Sequence, residues 1–172
     1  MIGPVSWRRS SLVPQIDVPR AEKVLAVTRA EDGSVLAGTR DAFYVAADGG
    51  EVRRVPWEQV EAADWDRDTD TFRLSEVGTW GEERPIHTAV LADPGRLLEL
   101  VRERVTASVV LQRHVVVDGR RGLRVIARRA PSGSGGVQWI YEYDEGVDPD
   151  DPAVGELART TLEAMRIEVG LP

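Results

Sequence analysis

The chain has no cysteine, one lysine (Lys23) and two histidines (His87 and His114) among its 172 residues. Without cysteine there is no disulfide, no thiolate nucleophile and no Cys-based zinc or iron centre. Two histidines are too few for a His-rich metal cage. No apolar run approaches the roughly 18 residues that a membrane helix needs. The sequence also lacks GxGxxG, a Walker loop, HExxH and GxSxG, so the common nucleotide and hydrolase signatures are missing. Ser132 to Gly136 is glycine-rich, but no lysine or helix follows it, as a phosphate cradle requires.

What remains is ordinary globular composition, 42% hydrophobic and 30% charged, with a formal net charge of −7. The acidic total excludes a molecule that is a polycation throughout. The positive charge is almost wholly arginine. Arginine usage of this kind fits either a genomic habit or a need for the planar guanidinium fork on phosphate or carboxylate.

Residues 1–20 contain three prolines and read as an extended arm, with Trp7 expected to anchor it on the body. Arg8-Arg9 is followed too soon by Pro14, Gln15 and Asp17 to form an export signal. A cytoplasmic, unprocessed chain is expected.

From Lys23 the pattern has period two. Short strands are expected over 23–29, 34–39, 42–46, 51–55, 60–65, 71–76 and 84–91, separated by turn chemistry at Asp32-Gly33 and Asp48-Gly49-Gly50. In the first strand, Val24, Ala26 and Thr28 are assigned to one face. Asp93-Pro94 then reads as a helix start, with Leu97, Leu98, Val101 and Val105 forming its apolar stripe. Seven short strands closed by one amphipathic helix suggest a barrel or sandwich.

The run Arg54-Val55-Pro56-Trp57-Glu58-Gln59-Val60, then Ala63-Asp64-Trp65-Asp66, together with the Asp-Pro helix start, resembles bacterial pleckstrin-homology-like domains over residues 21–107. That resemblance implies a seven-stranded barrel or sandwich with a capping helix, in an α+β, β-rich chain. Some members of the superfamily hold phosphoinositides through basic residues near the first hairpin. Here that hairpin carries Glu31 and Asp32, which speaks against a lipid headgroup and a membrane partner. The whole chain also resembles an uncharacterised family of high-GC Gram-positive bacteria, a likeness that implies no activity.

Residues 108–172 read as a β-β-β-α unit packed on the first. Strands are expected over 108–117, 122–129 and 137–143, and a helix opens at Asp151-Pro152 with Val154, Leu157, Ala158, Thr161, Leu162 and Met165 on one face. Trp139, Tyr141 and Tyr143 share a face of the third strand. Charge is polarised: residues 102–129 carry a net +6 and residues 142–156 a net −7. Either the two stretches neutralise one another across the sheet, or the basic one forms an anion- or partner-binding face. The candidate residues are Arg113, His114, Arg120, Arg121, Arg124, Arg128 and Arg129, with Trp139 as a stacking platform.

Other sites fare less well. Asp64, Asp66, Asp68 and Asp70 have the spacing of a calcium loop but lack its glycine and its closing glutamate. His87 reads as a structural strand histidine. His114 is the residue type of a general base, but spacing implies no Ser or Asp partner. The expected function is a non-catalytic module, with no cofactor or metal, that binds a protein segment or associates with itself. The alternative is polyanion or nucleic-acid binding through the Arg-rich hairpin.

Overall fold

The computed structural model describes residues 16–79 and 82–170. The expected anchoring by Trp7 falls outside them. The chain is β-rich, with three antiparallel sheets and two helices. The first sheet runs β1 (Ala26–Arg29), β2 (Val35–Gly38), β3 (Ala42–Ala46) and β4 (Val52–Pro56) in meander order. The second runs β5 (Val60–Asp66), β6 (Thr71–Glu76) and β7 (Ile86–Val90). Helix α1 (Leu97–Ser108) follows and passes directly into β8 (Val109–Asp118). The third sheet has the order β10 (Gln138–Tyr143), β9 (Arg121–Arg128), β8, and α2 (Pro152–Glu168) packs on it.

The first two sheets and α1 share one core. Leu36, Phe43 and Val55 come from the first sheet, Val60, Phe72 and Leu74 from the second, and Leu97, Leu100 and Val101 from α1. Phe43 sits between Trp57 and Phe72, with ring centroids 6.2 and 5.9 Å away in tilted arrangements. Burying an aromatic side chain of this kind is worth about 1.5–3 kcal/mol. The fully buried Trp57 still needs a partner for its indole N–H, and it donates to the Thr39 carbonyl at 3.1 Å.

Among the described residues the two sheets do not join into a closed barrel. Pro56 has no N–H to continue the ladder, and a 3-10 turn at Trp57–Gln59 separates β4 from β5. At this open corner Arg53 of β4 makes a bidentate pair with Glu76 of β6. The neighbouring Arg54 points the other way. It pairs with Glu22 and donates to the Tyr44 hydroxyl, fastening the segment before β1 to the outer face of the first sheet. Ile16, Val18 and Val24 cover Ala37, Ala42 and Tyr44 there.

Two details differ from the sequence reading. The first strand begins at Ala26, and Val24 packs with Val27 on the outer face, not with Ala26. Helix α1 begins at Leu97 with no side-chain cap. Asp93 instead accepts the Gly95 N–H in a turn, and Gly95 takes φ +52°, which is not a helical value. The second Asp-Pro pair does open its helix: Asp151 accepts the Ala153 N–H, with Pro152 in the first turn.

Candidate functional site

The basic hairpin is spread over both faces and both ends of the third sheet. Strand alternation puts Arg113 on the face covered by α2, where it pairs with Glu168 at 2.6 Å. His114 and Arg124 are cross-strand partners, so both belong to the opposite face. Arg124 pairs with Glu142 on β10 at 3.1 Å, and His114 Nε2 lies 3.0 Å from Asp144 Oδ2. The basic and acidic stretches therefore meet across this sheet.

Arg128 is 4% exposed. Its guanidinium donates to Ser108 Oγ at 3.0 Å and to the Glu61 carbonyl at 3.3 Å, joining the third sheet to β5. Burial pushes its pKa down against the opposing pull of Glu142 and Glu61, and among the described residues its Nε has no hydrogen-bond partner. Arg120 and Arg121 are exposed at the β8–β9 turn, where Arg121 lies against Gly146 of the acidic loop. Arg129 is exposed at the far end of β9, roughly 26 Å away along an extended strand. Trp139 is half-buried in the core between the third sheet and α2. The structure thus gathers His114 and Arg124 on one face and disperses the other candidates.

Sequence spacing missed the partner of His114. Asp144 lies just beyond β10, and its carboxylate accepts the Gly122 N–H at 2.8 Å as well as facing His114. The hydrogen bonds from His114 and Gly122 hold this carboxyl below the usual range. The signal that locates it is register: Tyr143 pairs with Leu123, so the next residue reaches Gly122. No serine or threonine hydroxyl bonds to this His–Asp pair among the described residues.

Two open recesses lie against β5. One is an open cleft of about 560 Å³ between the second and third sheets. Glu61, Glu82, Glu142 and Asp144 line it, with Arg84, Arg124 and Tyr141. Glu61 forms an ion pair with Arg84, and burial raises its pKa beyond what that arginine offsets.

The other is an open groove of about 530 Å³ between β5 and α1. Ala63 and Trp65 form one wall, and Leu98, Val101 and Val105 form the other. Ala63, Trp65, Leu98 and Val105 are only partly buried against the main core. Strand β5 ends its sheet and pairs only with β6 among the described residues. Arg128 covers the strand at Glu61, which leaves the stretch from Ala63 as the open part of that edge. Helical spacing assigns Leu98 and Val105 simply to the apolar stripe of the helix. Strand order, which no local pattern reveals, leaves β5 at an edge beside them.

Among the described residues there is no group of three or more His, Cys, Asp or Glu side chains that could hold a metal ion, and no helix is long and apolar enough to cross a membrane. Comparison with protein-family models, with curated proteins and with solved structures gave no match.

Proposed function

We propose that this chain is a non-catalytic binding module whose pleckstrin-homology-like body, residues 21–107, takes up an extended protein segment along β5. One observation carries the reading: a strand edge that is unpaired among the described residues lies beside an apolar groove closed on its other side by α1. An edge strand offers backbone N–H and C=O groups in register with an incoming strand, while the groove accepts every second side chain. Asp64, Arg67 and Arg102 flank the apolar walls and would bias the charge of the segment. The order of seven strands followed by a helix supports the pleckstrin-homology-like reading.

Selection of random twelve-residue displayed peptides on the immobilised full chain tests this. Enriched sequences should alternate apolar and polar residues, and their binding should be lost in Trp65→Glu and Val105→Glu. If a second copy occupies the groove, sedimentation will show a dimer that the same substitutions dissociate. A monomer with no enriched peptide, or enrichment indifferent to both substitutions, overturns the reading.

A further inference from the structure

A second open edge lies in the third sheet. Strand β10 ends the third sheet, and its pairing with β9 is regular from Gln138 to Tyr143. It carries neither proline nor lysine, two devices that commonly blunt an exposed edge. Among the described residues, no backbone hydrogen bond from β10 runs to anything but β9 and its hairpin.

This edge is recessed rather than flat. The 560 Å³ cleft and a further recess of about 380 Å³ both run along β10 and share Gly78, Tyr141 and Tyr143. Together they are lined by five carboxylates, from Glu61, Glu82, Glu142, Asp144 and Asp150, against two guanidinium groups. Both guanidinium groups are already engaged, Arg84 by Glu61 and Arg124 by Glu142. Glu82 and Asp150 are exposed, and no ion pair involves either among the described residues. The Tyr141 ring is stacked on Tyr143 at 6.4 Å and is 36% exposed.

From this geometry we infer that the β10 edge is a docking site for a basic, extended polypeptide segment, distinct from the groove on β5. The backbone of the segment pairs with β10, as in strand addition elsewhere. Its lysine or arginine side chains meet Glu82 and Asp150 and can lie over the Tyr141 face. The surplus of carboxylates repels nucleic acid and anionic lipid. It also disfavours a second copy of this chain, because pairing β10 with itself would bring two acidic recesses together.

The test is fluorescence anisotropy with labelled hexapeptides on the full chain. One peptide alternates arginine and valine, the other glutamate and valine. The arginine peptide should bind, more weakly as salt rises, and the glutamate peptide should not. Glu82→Lys with Asp150→Lys, both on exposed positions, should weaken binding about tenfold or more. N-methylation of alternate backbone nitrogens in the arginine peptide should abolish it. Val105→Glu should leave it unchanged, which separates this site from the β5 groove. Equal binding of both peptides, indifference to the double charge reversal, or tolerance of N-methylation overturns the proposal.

Discussion

Arg53 and Glu76 clasp the open corner between the first and second sheets. Arg53 Nε and an Arg53 terminal nitrogen donate to the two Glu76 oxygens at 3.1 and 2.7 Å, and His87 Nε2 lies 2.7 Å from Glu76 Oε1. The Glu76 residue is only 7% exposed, so this carboxylate would be costly to leave without partners. Burial alone would raise its pKa, and the hydrogen bonds from Arg53 and His87 outweigh burial, so the carboxyl titrates below its ordinary value.

That shift fixes a pH dependence. A carboxyl depressed in the folded state contributes stability above its unfolded pKa, and the contribution fades as pH falls through the folded value. Glu76→Gln should therefore cost about 1–3 kcal/mol at neutral pH. The gap from the parent should close progressively below about pH 4.3, the ordinary glutamate value. Urea titrations of both chains across this range measure it. A gap constant with pH would mean that the carboxylate charge is not what holds the corner.

Two glycines should respond in opposite directions. A methyl group at Gly122 would sit 1.9 Å from the Val115 carbonyl oxygen on the facing strand, a contact only backbone movement relieves. Gly122→Ala should destabilise by about 1–3 kcal/mol and disturb the Asp144 bond to the Gly122 N–H. Gly155 lies in α2 with open space around its Cα, and alanine there should stabilise by up to about 1 kcal/mol. Denaturant midpoints of the two variants provide the comparison.

The charge pattern makes Arg128 a candidate for an anion- or partner-binding face, yet it is the buried tie between β9, Ser108 and β5. A buried guanidinium that has, among the described residues, no direct carboxylate partner and one unpaired nitrogen is poor in stability. Arg128→Met, which fills similar volume, should be neutral or stabilising. Arg128→Ala should cost about 2–5 kcal/mol through the cavity it leaves. Thermal unfolding of the pair decides between a packing role and a charge role.

The contrast shows what could be read in advance. Strand alternation in 71–76 and the stripe of α2 depend on local periodicity, and both elements form where the pattern puts them. The Asp93-Pro94 start failed because Gly95 intervenes, and local capping preference cannot weigh that backbone turn. The charge contrast between 102–129 and 142–156 was visible, but its resolution into Arg124–Glu142 and His114–Asp144 depends on register between β8, β9 and β10. The groove beside Trp65 and the recess beside Tyr141 were beyond reach, because they exist only where strand order leaves an edge.

The same resolution sets a limit on polyanion binding. Arg113, Arg124 and Arg128 are occupied within the chain, and Arg129 lies at the opposite end of the hairpin from the exposed Arg120 and Arg121. A nucleic acid strand laid on the hairpin tip can therefore engage about two arginines at once. Each neutralised phosphate contributes a slope of about −0.7 to −0.9 in log K against log salt. Anisotropy with a labelled oligonucleotide between about 50 and 200 mM salt should give a slope no steeper than about −2. Arg120→Glu with Arg121→Glu should remove what binding there is. A slope near −5, surviving that double reversal, would place polyanion binding on arginines other than Arg120 and Arg121.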